Sequence, residues 1–133
     1  MFRTKTQSGF TLVEIMIVVA IIALLAAIAI PNLLRAKLNA NDALAKSTVR
    51  AISTASESYA TANNGNYPLN ITSLTGANPA YLNNQAYCGS TLSGFTYNCT
   101  FGVATYTVAA VPVTVGTTGS TTFTVTTGGV LTP

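Results

Sequence analysis

One carboxylate stands out among the residues of this chain that could do chemistry. Glu14 lies inside the apolar run at residues 10–30, FTLVEIMIVVAIIALLAAIAI. An apolar helix crosses a bilayer with about 20 residues, and a carboxylate at its centre costs about 2.5–3.5 kcal/mol. No Lys, Arg or His lies between Lys5 and Arg35. We expect that nothing within the segment compensates Glu14, so that its partner comes from outside this helix or is created by processing.

The two cysteines are the second pair of groups with chemistry of their own. Cys88 and Cys99 lie outside the cytoplasm if the N-terminus is inside. Arg3 and Lys5 before the apolar run favour that orientation, but Arg35 and Lys37 follow the run closely, so charge alone does not decide it. In an oxidising compartment two cysteines at this spacing predict a disulfide rather than free thiols. Two cysteines without any histidine argue against a metal site.

The distribution of ionisable residues argues against catalysis. The chain has 133 residues, with six Lys and Arg, three Asp and Glu and no His. From Ser58 onward Tyr and Cys are the only ionisable side chains. Because acid–base and nucleophilic chemistry needs His, a carboxylate, Lys or an activated Cys, we predict no catalytic residue, no cofactor and no metal. No basic stripe covers this part either, so we expect no specific nucleic-acid site.

The first half of the chain is predicted to be helical after a short leader. Residues 1–9 are polar and basic and end in glycine, and residues 10–31 form a hydrophobic helix. Pro31 is a residue that kinks or locally melts a helix. Helical spacing then resumes over residues 32–63, and the Asn and Gly residues at 63–66 end it. The apolar face of this second, amphipathic stretch consists of Leu34, Leu38, Ala45, Val49, Ile52 and Tyr59.

Residues 64–133 are predicted to form a globular domain made of a loop and a small antiparallel sheet. The turn-rich stretch 67–85 is interpreted as the loop. Alternating or β-rich runs predict strands over 95–101, 104–115 and 121–126, with a last turn at 128–129. Pro112 places the second strand at an edge or at a bulge. The predicted fold is therefore α+β, with a long N-terminal helix, membrane-spanning in its first half, packed on the sheet.

The sequence Gly9-Phe10-Thr11-Leu12-Val13-Glu14 resembles the class III signal of type IV pilins and type II secretion pseudopilins. The resemblance covers the leader and the first helix half, whereas the globular half matches in plan only. It implies that a membrane peptidase cuts between Gly9 and Phe10 and methylates the new amine of Phe10. It also implies that Glu14 serves assembly and that Pro31 marks the place where the helix bends or melts in a filament.

Such processing would provide the missing partner of Glu14. Cleavage creates an ammonium at Phe10, and methylation of a primary amine keeps its positive charge. This amine, of the same subunit or of a neighbour, is about one helical turn from Glu14. Pairing makes a charge tolerable in a medium of low dielectric constant, although net stabilisation is not guaranteed. The pair would then favour one axial stagger between subunits.

Two functions compete within this family. A major pilin leaves the bacterial inner membrane and builds a long extracellular fibre for adhesion, motility or DNA uptake, whereas a pseudopilin builds a short periplasmic one. The pseudopilin resemblance implies a calcium site made by carboxylates in the C-terminal region. No Asp or Glu follows Glu57 in this chain, so that site lacks its ligands. We therefore expect a type IVa major pilin that polymerises with itself. Its expected partners are the prepilin peptidase/methyltransferase and the inner-membrane assembly machinery. The sequence is also compatible with a minor pilin and, remotely, with a membrane-tethered binding module.

Overall fold

The computed structural model describes residues 9–83 and 87–133, which form two helices and a five-stranded antiparallel sheet. The elements are α1 Leu12–Ala62, α2 Ile71–Thr75, β1 Thr91–Leu92, β2 Phe95–Phe101, β3 Tyr106–Pro112, β4 Phe123–Thr126 and β5 Val130–Thr132. Leader residues 1–8, on which part of the processing prediction depends, lie outside the described residues. The chain divides into two compact units, and the boundary falls within α1 between Arg35 and Ala36. The predicted α+β fold is confirmed.

Helix α1 passes through Pro31 without interruption. It has 51 residues, so the stretches predicted over 10–31 and 32–63, apart from residues 10, 11 and 63, lie in one continuous helix. Proline removes one backbone hydrogen bond from a helix interior, but its own fixed φ near −65° is a helical value, so Pro31 can lie within α1. The helix is also long and apolar enough to cross a membrane.

In the second unit one face of α1 packs against the sheet. Ala45, Val49 and Ile52 of the predicted apolar face are fully buried, whereas Leu34 of the same predicted face is 46% exposed. Tyr59 packs at the margin of the core. Burying an aliphatic side chain such as Ile52 contributes about 1.5–3 kcal/mol. The amphipathic pattern therefore identifies the middle of this face correctly and extends it too far towards the N-terminus.

The sheet is a simple meander in which every strand pairs antiparallel with the next one in the sequence. The longest ladder joins β2 and β3 and runs from Phe95 opposite Pro112 to Phe101 opposite Tyr106. Alternate side chains of these strands point into the core, as the period of two requires. The fully or almost fully buried members are Phe95, Tyr97, Tyr106, Val108 and Ala110.

Pro112 lies in the central strand of the sheet, so its predicted place at an edge or a bulge is wrong. Strand β3 pairs with β2 on one side and β4 on the other. The pairing with β4 covers only Thr107 to Ala110, and Pro112 is the last residue of β3. A residue beyond the end of the β3–β4 ladder can lack an N–H without breaking that ladder.

The predicted loop at 67–85 contains the short helix α2. Asn70 caps it, because its side-chain oxygen accepts a hydrogen bond from the backbone N–H of Ser73 at 2.9 Å. Leu74 of this helix is fully buried in the core. The helix therefore attaches the segment after α1 to the globular unit, a role that the turn-rich composition did not suggest.

Candidate assembly and processing site

The residues of the predicted cleavage site precede the helix. Gly9 and Phe10 are exposed and non-helical, and the Phe10 side chain is 85% exposed. Thr11 follows, and α1 begins at Leu12. A Cβ atom added to Gly9 would meet no atom within 4 Å. The described part of the chain therefore has no steric need for glycine at this position.

Glu14 forms a capping box with Thr11 at the start of α1. Its Oε2 atom accepts hydrogen bonds from the backbone N–H and the hydroxyl of Thr11, each at 2.7 Å. The backbone N–H of Glu14 donates in return to the Thr11 hydroxyl at 3.2 Å. The expectation that nothing within the segment compensates Glu14 is therefore wrong. Thr11 is an uncharged partner, and the Thr-x-x-Glu spacing is the sequence signal that predicts this pair of reciprocal hydrogen bonds.

The capping box satisfies hydrogen bonds at Glu14 without neutralising its charge. Both donor groups on Thr11 are uncharged, and Oε1 of Glu14 has no hydrogen bond among the described residues. The positive end of the helix dipole favours a carboxylate in the first turn. The N–H of Thr11 would persist after a cut before Phe10. A new amine at Phe10 would therefore add a cation beside an existing box.

The apolar part of α1 presents a large uncovered surface in the single chain. Its large aliphatic and sulfur-containing side chains from Leu12 to Ile30 are 50–76% exposed. Soluble monomers rarely expose contiguous apolar patches larger than a few hundred Å². This surface is therefore one that lipid or other protein chains must cover. Pro31 lies just beyond it, also exposed and within the same helix.

The predicted disulfide between Cys88 and Cys99 is confirmed, with a Cα–Cα distance of 5.5 Å. It joins the turn before β1 to the middle of β2. Tyr97 on β2 holds the same turn through two backbone hydrogen bonds, to Gly89 at 2.7 Å and to Ser90 at 3.0 Å. Closing a loop of this size stabilises a fold by about 3 kcal/mol in the chain-entropy description. The bridge is thus part of the sheet's construction.

A carboxylate that the sequence did not single out organises the second unit. Glu57 of α1 accepts hydrogen bonds from the hydroxyls of Tyr106 at 2.9 Å and Tyr67 at 3.0 Å. It also accepts one from the backbone N–H of Gly128 at 2.8 Å. Because the Tyr106 hydroxyl donates to Glu57, it accepts from the hydroxyl of Ser53 at 2.8 Å. Glu57 therefore connects the helix to the loop, to β3 and to the β4–β5 turn.

The two tyrosines of this cluster are held in their neutral form. Burial raises the pKa of Tyr106 to about 12, and the hydrogen bond from Ser53 opposes that shift while Glu57 adds to it. The hydrogen bond to Glu57 raises the pKa of Tyr67, and burial adds to the effect. Both shifts have the direction expected for a phenol beside a carboxylate, since a phenolate there would face a like charge.

Asp42 of α1 attaches the connection between β3 and β4 to the helix, also through hydrogen bonds to its carboxylate. Its carboxylate accepts hydrogen bonds from the backbone N–H of Ser120 at 2.9 Å and from the Ser120 hydroxyl. The neighbouring Asn41 amide donates to the carbonyl oxygen of Thr118 at 2.8 Å. Both carboxylates of the second unit therefore attach connections of the sheet to α1. Residues 9–83 and 87–133 contain no group of three or more His, Cys, Asp or Glu side chains placed to hold a metal ion.

Comparison with known proteins finds similarity in the N-terminal part of this chain. The model of the prokaryotic N-terminal methylation motif matches residues 4–30. The type IV major pilin protein PilA of Myxococcus xanthus is 51% identical over 51 residues, which are 38% of this chain and 23% of that protein. The type IV wide pilus major component PilA4 of Thermus thermophilus is 60% identical over 38 residues, 29% of each chain.

A protein of a different system matches the same region. The type II secretion system core protein G of Pseudomonas aeruginosa is 41% identical over 57 residues, 43% of this chain and 40% of that protein. The chain thus spans less than half the length of each of these relatives. No solved structure matches the chain significantly.

The long apolar helix and the antiparallel sheet form an α+β fold like that of pilins, and the methylation motif lies at its N-terminal end. Its N-terminal part carries the methylation motif and is similar both to type IV major pilins and to the type II secretion core protein G.

Proposed function

We propose that this protein is the major structural subunit of a type IV pilus. It resides in the bacterial inner membrane through α1 and then polymerises with copies of itself into an extracellular filament for adhesion, motility or DNA uptake. The observation that carries this proposal is the uncovered apolar surface of α1 from Leu12 to Ile30. Lipid covers such a surface before assembly, and the equivalent helices of other subunits cover it afterwards.

Processing before Phe10 prepares the chain for this change of surroundings. The prepilin peptidase/methyltransferase cuts after Gly9 and methylates Phe10, and the inner-membrane machinery then adds the subunit to the fibre. The exposed, non-helical backbone at Gly9 and Phe10 supports this step. The match of residues 4–30 to the methylation motif supports it as well.

Glu14 acts in assembly through its charge. The capping box holds its Oε2 atom at the helix start and leaves Oε1 unused among the described residues. A methylated ammonium from Phe10, in the same subunit or an adjacent one, is the cation that this carboxylate then takes. Pairing in a medium of low dielectric constant makes the charge tolerable and specifies register.

Electron microscopy of sheared surface fibres, with mass spectrometry of their subunit, tests this proposal. We expect long fibres whose subunit begins at an N-methylated Phe10. A strain that lacks the gene and is complemented with the wild-type chain provides the matched control. If the fibres of the complemented strain contain another subunit as their bulk component, this chain is not a major pilin.

The second candidate function is that of a type II secretion pseudopilin, which the similarity to core protein G favours. Its signature would be a defect in protein export in the strain that lacks this chain, without loss of long surface fibres. No Asp or Glu follows Glu57 in the sequence, so the calcium site expected in the C-terminal region of a pseudopilin would have no acidic ligand. This favours a pilus subunit over a pseudopilin.

A further inference from the structure

An open hollow of about 460 Å³ lies where the C-terminal end of α1 meets the β2–β3 turn. Its volume falls within the range of ligand sites, about 300–1,000 Å³. None of the residues that carry processing or assembly lines it. The residues that give it its chemistry are Tyr59, Asn64, Asn66, Tyr67, Leu69 and Val103.

The walls of this hollow are fixed by hydrogen bonds that do not depend on a ligand. The N–H of Gly65 donates to the carbonyl of Ala60 at 2.8 Å, which ends α1, and Asn64 adopts a left-handed φ of 56° in that turn. The N–H of Tyr67 donates to the carbonyl of Val103 at 2.9 Å, which joins the two sides. A preformed site loses little conformational freedom when it binds.

The ring of Tyr67 is held as firmly as the backbone around it. Its hydroxyl donates to Glu57 at 3.0 Å, and its ring centroid lies 5.2 Å from that of Tyr106 in a tilted arrangement. Tyr59, which also lines the hollow, packs edge-on against Tyr81, with centroids 5.6 Å apart. Two of the residues that line the hollow are therefore tyrosines whose positions are fixed by contacts with other aromatic rings.

The chemistry of the lining selects a neutral, amphipathic ligand. Leu69 is 64% exposed and Val103 54% exposed, so an apolar surface faces solvent here. The exposed side chains of Asn64 and Asn66 each offer hydrogen-bond donors and an acceptor at the rim. Among the described residues no Lys, Arg, Asp or Glu lines the hollow, so a charged ligand would lose hydration without gaining a counter-charge there.

We propose that this hollow binds a neutral saccharide. A pyranose ring carries an apolar C–H face, which fits aromatic and aliphatic walls, and hydroxyl groups around its edge, which fit amide side chains. The assignment does not rest on polymerisation, because the hollow lies within the second unit of one chain. It can therefore fail while the pilus proposal stands, and the reverse is equally possible.

Saturation-transfer difference NMR on the full-length chain tests the assignment. The chain is held in a zwitterionic detergent without sugar headgroups, and the probes are the methyl glycosides of glucose, galactose, mannose and N-acetylglucosamine. We expect transfer to the C–H protons of at least one probe. Val103→Ser and Asn66→Ala should each weaken binding about 3- to 10-fold, the effect of losing one apolar contact or one hydrogen bond.

Matched variants outside the hollow provide the controls. Val113 is 58% exposed, close to the exposure of Val103, and Asn98 is an exposed asparagine on β2. Val113→Ser and Asn98→Ala should leave the transfer unchanged. The assignment is wrong if no probe shows transfer at concentrations on the order of 10 mM, a limit of about 2.7 kcal/mol of binding free energy. It is also wrong if the control variants weaken transfer as much as the hollow variants do. Loss of fibres in Val103→Ser with unchanged transfer would assign the hollow to a contact with a second copy instead.

Discussion

The hydroxyl of Tyr106 donates a hydrogen bond to the carboxylate of Glu57 across 2.9 Å, although 49 residues separate the two in sequence. Tyr106 is almost fully buried at the start of β3, and Glu57 is half-buried on α1. The bond therefore joins the helix to the centre of the sheet. Because Glu57 also accepts from Tyr67 and from the N–H of Gly128, one carboxylate organises four parts of the second unit.

Replacing this carboxylate should destabilise the globular unit. Glu57→Ala leaves three donors without an acceptor, and we expect a loss of about 2–3 kcal/mol in the free energy of unfolding. Glu57→Gln keeps part of the acceptor capacity and should cost less. Thermal unfolding of the full-length chain in detergent measures both. Ser58→Ala, which changes an exposed neighbour on the same helix, is the matched control. If Glu57→Ala unfolds at the same temperature as this control, the hydrogen bonds to Glu57 do not stabilise the unit.

The stability of the unit should fall at high pH because of Tyr106. Its folded-state pKa of about 12 lies above the ordinary value of 10.0. The unfolded chain therefore releases the phenolic proton first, and stability that is fully present below pH 10.0 is lost as the pH rises towards about 12. Denaturant midpoints across this range measure the loss, and ultraviolet absorbance of tyrosinate reports the titration. Tyr106→Phe should flatten the dependence, and an unchanged slope in this variant would assign the effect to other groups.

The charge of Glu14 and its capping role can be separated by two substitutions. Glu14→Ala removes both, whereas Glu14→Gln retains a side-chain acceptor for Thr11 and removes the charge. We expect both variants to fold and both to assemble poorly, because the cation at Phe10 loses its partner in each. Fibre yield in shearing preparations is the measurement, and thermal unfolding is the control for folding. Normal assembly of Glu14→Gln, alone or beside wild type, would contradict the pairing argument.

The capping box itself should help to place Glu14. Thr11→Val keeps the shape of the side chain and removes its hydroxyl, which should cost about 1 kcal/mol at the helix start. Thr11→Ser keeps the hydroxyl and serves as the matched control. Hydrogen exchange of the first amides of α1 should quicken in Thr11→Val alone, and fibre yield should fall with it. Equal exchange in the two variants would show that the hydroxyl contributes nothing there.

Gly9→Val should block processing without disturbing the described fold. A Cβ at this position meets no atom within 4 Å, so a loss of processing reports recognition by the peptidase rather than misfolding. Mass spectrometry of the N-terminus is the measurement, and unchanged thermal unfolding is the control. Recovery of a methylated Phe10 terminus from this variant would refute cleavage after Gly9.

Local patterns predicted the parts of this structure that depend on near neighbours. The alternation at 95–101 gave the bounds of β2, because one face of that strand is buried along most of its length. Strand β1 has two residues and is defined by its pairing with Phe95 and Thr96, so no run of its own indicates it. Helix α2 has five residues and depends on the cap at Asn70, which a turn-rich composition conceals.

The long-range contacts of the candidate sites were less accessible to sequence. The partners of Glu57 lie 10, 49 and 71 residues away, so no spacing rule brings them together. Glu14 is the opposite case, because its partner Thr11 is three residues away and forms a recognised motif. Because Thr11 is uncharged, a search for Lys, Arg or His near Glu14 does not find it. Contacts between residues a few positions apart can be predicted from a motif, whereas contacts between residues tens of positions apart cannot, whatever their strength.

The attachment of Ser120 to Asp42 has a consequence for how this protein can change. Asp42 supplies the carboxylate from the helix, and one of the groups that it binds is a backbone N–H, which every residue except proline provides. The fixing point is therefore largely indifferent to the side chains of the connection it holds. Substitutions can accumulate at exposed residues of this connection, such as Val115 and Thr117, while the helix still holds it, whereas a Cβ at Gly119 would overlap the ring of Phe95.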